Sequence, residues 1–402
     1  MQSTLVSSRV NLTSYLILLV GCASGITMGT TIAGNGTMMN DLAFNTKSSI
    51  EAAGIMSSLI FLSSLVTQLI AGVLIDRLGT RPVILAGSLA FGVGVWLCAL
   101  ASSLPMLYGA ALVAGLGFGA LGLGSMTMIT AAFPEQRVRY IGLINVFFGI
   151  GTVIGPFVGG IALSLTGSAI AILWLAGGIA FLILFTVLWG IPLQPVAGIE
   201  AKTATISRSV YLSLGLWLCG LVVVLYSGLE NGLGVWGPLY LNRSLALTPE
   251  IAAFLISAYY LMLTLGRVIV TVIGVRIEAH KILLVSAAGT LAGISLLVFG
   301  HGNTALTIIA ALLMGISFGP IFPTMFALAT AAFPQSPGKV GSIIASAGSL
   351  GGALFIPLNG AILERAGTAP MTFYLLIISV LMIGFYGAVH RVMTGKAAAF
   401  SV

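Results

Sequence analysis

"GLGFGALGLGSMTMITAAFP" (115–134) recurs as "GISFGPIFPTMFALATAAFP" (315–334), 200 residues further along a chain of 402. Gly115 matches Gly315, Phe118 matches Phe318, Gly119 matches Gly319, and Thr130–Pro134 repeats whole as Thr330–Pro334. Beyond these stretches, Gly142 and Gly160 correspond to Gly341 and Gly360 within one residue. A period this long divides the chain into two halves built on one plan.

Each copy lies in a long apolar run, and such runs recur from Tyr15 to Tyr386. The chain is 58% apolar and 6% charged, against about 25% charged for an ordinary soluble domain. So few charges could not cover a water-soluble globule of this size. Runs of roughly 20 apolar residues cross a bilayer as helix, and twelve are expected here, the seventh over 210–241 and the eighth over 250–274. The fold class expected is an all-α membrane protein of twelve transmembrane helices in two pseudo-symmetric six-helix bundles. The bundles are 1–192 and 211–402, joined by the polar linker 193–210, "LQPVAGIEAKTATISRSV".

The net charge of +7 is a topology signal. Twelve of the sixteen basic residues (Arg9, Arg77, Arg81, Arg137, Arg139, Lys202, Arg208, Arg276, Lys281, Lys339, Arg391 and Lys396) fall in every second connection or at the termini. Lys47, Arg243 and Arg365 fall in the alternate connections, and Arg267 lies within a span. The positive-inside rule then places the linker and both termini in the cytoplasm, with the plasma (inner) membrane of a bacterium as the expected location. Nucleic acid is not an expected partner. Cys22, Cys98 and Cys219 lie in apolar spans and read as packed thiols. The first span has no A-x-A-like cleavage site and is expected to stay in the mature protein.

The link between the second and third spans reads "GVLIDRLGTRPVIL" (72–85). With Gly72, Asp76, Arg77, Gly79 and Arg81 it resembles the signature loop of the major facilitator superfamily, whose members are secondary transporters of two six-helix halves. The resemblance implies that Asp76, Arg77, Gly79 and Arg81 act in conformational gating, latching the cytoplasmic side. Gly79 suits a tight turn, since only glycine takes positive φ cheaply. The second-half counterpart, "IGVRIEAHKILL" (273–284), lacks the Asp and Gly, so one latch is implied. "GIGTVIGPFVGG" (149–160) resembles a Gly-Pro-x-x-Gly-Gly motif common in exporters and exchangers of that superfamily. Gly151, Gly155 and Gly159 share one helix face, and Pro156 removes a backbone hydrogen bond. Close packing and a gating hinge are the two readings.

The GxGxxG within 115–122 lies inside an apolar span and reads as helix packing, not a dinucleotide fingerprint. No catalytic set, no metal-ligand cluster and no cofactor motif emerges. His280, His301 and His390 are scattered near span ends. An enzyme is not expected.

Two ionisable groups lie well inside spans, Glu230 and Arg267. Counting residues along 210–241 and 250–274 puts Glu230 in the outer half of the membrane and Arg267 in the inner half, so no direct pair is expected. Glu230 stands among Gly228, Gly232, Gly234 and Gly237, followed by Pro238, which predicts a broken or bent helix. It reads either as a cavity group that carries a proton or as a hydrated residue at the outer mouth. Arg267 reads either as a tie between helices or as a contact for an anionic substrate. The pattern through Glu230, Trp236 and Tyr240 resembles the seventh span of fucose-permease-like sugar porters, which implies that Trp236 and Tyr240 line a sugar cavity.

Asn231, Asn35, Gln68, Asn145, Tyr259 and Asn359 complete the candidate substrate and coupling residues. Ser57, Ser64 and Gln68 share one face of the second span, and Thr127 and Tyr260 are further polar groups within spans. The expected function is alternating-access transport of a small polar solute, possibly a sugar or organic metabolite, coupled to H+, by a monomer in the lipid bilayer. A drug or metabolite exporter working as a proton antiporter is the alternative. A channel or receptor retaining the fold is the alternative of another class.

Overall fold

The computed structural model describes residues 2–133, 137–191, 213–273, 276–333 and 337–399. The expected linker 193–210 lies outside the described residues, as does the Asp76 side chain. The described residues form α-helices and no strand. Among the described residues twelve spans are long and apolar enough to cross a membrane, the tenth, Thr304–Ala332, formed by two successive helices, and the protein is an integral multi-pass membrane protein.

The chain divides into two compact units, Met1–Lys202 and Thr203–Val402. Unit 1 contains α1 (Gln2–Gly34), α2 (Met39–Thr46), α3 (Ile50–Leu78), α4 (Thr80–Ala99), α5 (Leu104–Ala132), α6 (Arg137–Thr166) and α7 (Ala171–Gly190). Unit 2 contains α8 (Leu214–Leu245), α9 (Pro249–Ile273), α10 (Ala279–Phe299), α11 (Thr304–Phe318), α12 (Ile321–Ala332), α13 (Pro337–Arg365) and α14 (Thr368–Ala399).

Helix ends follow local chemistry. Ser49 caps α3 by accepting from the Ala52 N–H at 3.1 Å, and Asn303 caps α11 by accepting from Leu306 N–H at 3.0 Å. Gly79 ends α3 at φ 86°, the left-handed conformation read from its place in the signature loop. Arg81, two residues on, reaches the far end of α7 and donates to the carbonyls of Val187 (3.3 Å) and Leu188 (2.7 Å). The last carbonyls of a helix have no partner within it, and a cation there meets the negative end of the dipole.

Without a hydrophobic driving force between helices in lipid, small residues that admit a neighbour's backbone decide which helices meet. In unit 1, a Cβ at Gly25 or Gly29 on α1 would overlap the backbone of α6, and one at Gly151 or Gly155 on α6 would overlap the carbonyls of Ile26 or Thr30 on α1. Thr30 Oγ1 donates to Gly151 O at 3.2 Å across the same seam. Gly159 faces Thr37 and Ile172, and α6 runs through Pro156 as one helix. The three glycines are therefore packing seats. The GxGxxG packs likewise: Gly117 receives α4 at Phe91, Gly119 receives α3 at Ser64 and Gly122 faces Met28 on α1, while Gly115 just before the motif receives α3 at Ile60 and Ser63.

Unit 2 repeats this seating with one change. Gly315 receives α9 at Tyr259, and Gly319 receives it at Leu263 and Arg267. Between α11 and α12 the ladder is interrupted, because Pro320 and Pro323 lack the N–H groups that would bond Ile316 O and Gly319 O. The expected break in the seventh span is not there: α8 is continuous from Leu214 to Leu245, with Pro238 inside it. Its glycines serve approach instead. Gly228 and Gly232 face Phe355 and Asn359 on α13, while Gly234 and Gly237 face Tyr260 and Ile256 on α9.

Candidate functional site

Arg267 donates to Glu230 Oε1 at 3.1 Å, with 14% and 12% of the two side chains exposed. This overturns the expectation that they lie too far apart to pair. The seventh span was read as 210–241 but the helix runs Leu214–Leu245, so Glu230 stands sixteen residues past its start and fifteen before its end. It is a mid-helix residue. The helices α8 and α9 run antiparallel, with Gly237 against Ile256 and Gly234 against Tyr260. That register leaves Glu230 about one helical turn, ~5 Å, from the level of Arg267, a gap that a guanidinium on its long stem spans.

Aromatic side chains enclose the pair. Tyr259 Oη donates to the Glu230 carbonyl at 3.4 Å. The Tyr226 hydroxyl is buried beside both charges, within electrostatic reach but without a hydrogen bond of good geometry. Tyr260, also buried and within reach of both charges, packs edge-on to Tyr259 at 5.0 Å between ring centroids. Phe318, the last residue of α11, meets Tyr226 and Tyr259 edge-on at 5.8 and 6.4 Å. A largely buried pair of this kind is held by strong mutual attraction against a desolvation cost.

The other residues singled out in the sequence divide. Trp236, read as a cavity wall, is fully buried; its Nε1–H donates to Ile356 O at 2.7 Å and its ring covers Gly360. It anchors α8 to α13. Asn231 Nδ2 donates to Ser227 O and Oγ at 2.9 and 3.0 Å, and Ser227 Oγ donates on to Gly348 O at 2.6 Å, so this amide also serves the α8–α13 seam. Tyr240 is buried further along α8, and its hydroxyl finds no acceptor or donor. Asn359 lies against Gly232, both amide atoms buried and unbonded. Asn35 is equally buried and unbonded in unit 1, while Gln68 and Asn145 are half-buried. Arg77 is exposed.

Gln68 occupies in unit 1 the place Arg267 holds in unit 2, since Ser64 and Thr67 meet Gly119 as Leu263 and Gly266–Arg267 meet Gly319. The two halves thus share a backbone plan and differ in charge at this point.

Tyr226 and Phe318 were not singled out as site residues. Tyr226 was findable, because it stands four residues before Glu230 and so on the same helix face. Tyr259 and Tyr260 precede Arg267 by eight and seven residues, again one face. For Phe318 the repeat marked the position but gave no sign of its neighbours.

A helical membrane protein with two six-span units and a buried mid-helix ion pair has the build of a secondary transporter. A model of the Major Facilitator Superfamily matches residues 17–356 and again 216–398, and the chain belongs to that superfamily. The solved structure of a D-xylose-proton symporter superposes with a TM-score of 0.79 at 14% identity, over 94% of this chain and 97% of that one. That of the nucleoside transporter NupG superposes with a TM-score of 0.72 at 14% identity, over 94% and 98%. At such identities the likeness concerns the fold. In sequence, the class H tetracycline resistance protein of Pasteurella multocida is 29% identical over 155 residues, 38% of this chain and 38% of that protein. The vacuolar membrane amino acid uptake transporter fnx2 of Schizosaccharomyces pombe is 37% identical over 94 residues, 23% of this chain and 16% of that protein. The matched stretches span well under half of those relatives' own length. Family and fold are those of transporters, not enzymes.

Proposed function

We propose that this chain is a secondary transporter that moves a small polar solute, a sugar or an organic metabolite, by alternating access and is driven by protons. The observation that carries this reading is the Glu230–Arg267 pair, mid-helix, ringed by tyrosines and still touched by solvent. A charge kept inside a membrane protein at this cost marks a solute or proton path. Glu230 is the proton-coupling group. The halves 1–192 and 211–402 rock against each other, and the loop with Asp76, Arg77, Gly79 and Arg81 latches one of the two states. Both termini lie in the cytoplasm of a bacterium, and the working unit is a monomer.

Reconstitution in proteoliposomes tests it. Glu230→Gln keeps counterflow of labelled for unlabelled solute and abolishes accumulation driven by a pH gradient. Normal proton-driven accumulation in that variant removes Glu230 from coupling. Flux without counterflow in the unaltered protein indicates a channel.

Export by proton antiport is the second reading, supported by the likeness to the class H tetracycline resistance protein. Inverting the pH gradient across oriented vesicles distinguishes it, because solute then moves against the proton flow.

A further inference from the structure

Two histidines lie face to face where α10 begins and the apolar span of α14 ends. The rings of His280 and His390 stack at 3.6 Å between centroids, 10° from parallel. His280 Nδ1 is 2.6 Å from the hydroxyl of Tyr386, which is buried about one helical turn before His390. The three side chains join α10 to α14 as a clasp, and they belong to neither the ion pair nor the signature loop.

A proton on this stack meets positive surroundings. His280 is the second residue of α10, at the positive end of the helix dipole. Lys281 follows it, Arg276 lies just before the helix, and Arg391 follows His390, all three exposed. The acid beside them, Glu278, is an exposed partner of Lys281 at 3.4 Å. Helix α8 brings the Cys219 thiol within electrostatic reach of Tyr386. No titratable side chain comes from α11 or α12, and α13 carries Lys339 in its first turn. Two imidazolium rings at 3.6 Å would also repel each other. Protonation therefore favours the open arrangement. The clasp is closed above about pH 6.5, the ordinary histidine value, and opens as pH falls below it.

Beside the clasp, Tyr386 lines a small apolar void with Val222 of α8, Leu283 and Ala287 of α10, Met382 of α14 and Ile321 of α12. Ile321 is the first residue of α12, just past the interruption at Pro320, where the backbone ladder is already weakened. Parting α10 from α14 thus reaches α12 across a space where packing offers little resistance. We propose that His280, His390 and Tyr386 form a proton-released clasp that makes the mobility of α12 depend on pH, at the end of unit 2 where the positive-inside pattern places the cytoplasm. Neutral, the stack ties α10 to α14 and keeps α12 packed. Protonated, it parts and α12 loosens. The switch is separate from any proton carried by Glu230, so it holds whether or not that residue couples transport.

Amide hydrogen exchange read by mass spectrometry tests it on the purified full-length protein, at about pH 7.5 and about pH 5.5, either side of the ordinary histidine value. Each rate is divided by the chemical exchange rate of an unstructured amide at the same pH, so that only opening is compared. Residues 281–287, 385–391 and 324–330 are expected to open at least about threefold more at the lower pH, while the helices of unit 1 stay unchanged. The double variant His280→Gln with His390→Gln should lose this response, because neither amide takes a proton. His280→Arg, with a fixed charge, should show the acid pattern already at the higher pH. If the arginine variant does not fold, the unaltered protein and the double variant decide; if the double variant does not fold, His280→Gln alone takes its place. Exchange at 281–287 and 385–391 that is indifferent to pH overturns the proposal, as does a response that survives the removal of the histidines. A response confined to α10 and α14, with 324–330 unmoved, overturns the link to α12.

Discussion

Glu230 and Arg267 meet side chain to side chain at 3.1 Å, each projecting from the middle or inner turns of its own helix into a tyrosine-lined seam between α8 and α9. Removing one member leaves the other buried and unpaired, which in protein interiors costs about 3–5 kcal/mol. Arg267→Gln is therefore expected to lower the thermal unfolding midpoint of the purified protein sharply, whatever its effect on transport. The double variant Glu230→Gln with Arg267→Gln should recover much of that loss. A double-mutant cycle with no coupling energy would show that the pair contributes nothing to the fold.

Trp236 offers a contrasting case. Its ring is fully buried and its indole N–H is spent on Ile356 O. Trp236→Phe keeps most of the apolar contact and removes one hydrogen bond, a loss of about 1 kcal/mol. Stability should fall modestly while the apparent affinity for solute stays unchanged. A several-fold change in KM at unaltered stability would return Trp236 to the solute path.

At the α1–α6 seam, backbone meets backbone through glycine. Gly151 and Gly155 have no room for a side chain against the Ile26 and Thr30 carbonyls. Gly151→Val should force the helices apart at a cost of about 1–3 kcal/mol or more, seen as a lower unfolding midpoint. Gly142→Val, where nothing lies within 4 Å of the added carbon, should be tolerated. Equal tolerance at both positions would contradict the packing role.

Asp41 on α2 accepts from Ala169 N–H at 2.6 Å and from Ser168 Oγ at 3.1 Å, tying the α1–α3 connection to the start of α7. Burial pushes its carboxyl above the ordinary aspartate value, and the two hydrogen bonds only partly oppose this. A group that holds its proton more tightly folded than unfolded adds stability below its unfolded pKa, near 4, and loses that contribution as pH rises through the folded value. Asp41→Asn, which can still accept both hydrogen bonds, should flatten this part of the stability profile. The unaltered protein should show a decline above about pH 4 that the variant lacks.

The spans and the duplicated plan were legible in the residues because they depend on local quantities: the length of an apolar run, a 200-residue repeat, a glycine at a tight turn. Gly79 is such a case, its positive φ implied by chemistry at one position. The packing face of Gly151, Gly155 and Gly159 was readable for the same reason, as a spacing on one helix. The site was less readable. Neighbouring glycines around Glu230 resemble a helix breaker in sequence, yet in lipid they are places where another helix comes close, and only the facing helices tell the two apart. The interruption fell instead at Pro320 and Pro323, where two missing N–H groups coincide.

The ion pair belonged wholly to the tertiary level. Whether Glu230 reaches Arg267 depends on the ends of α8 and on the register of α8 against α9. Four residues of error in a helix end displace a side chain by about 6 Å. The sequence alone determined that this chain crosses a membrane twelve times on a repeated plan and carries one acid and one base deep within its spans. Tertiary packing decided that those two charges face each other, because Gly234 and Gly237 let α9 approach and set the register that brings them within reach.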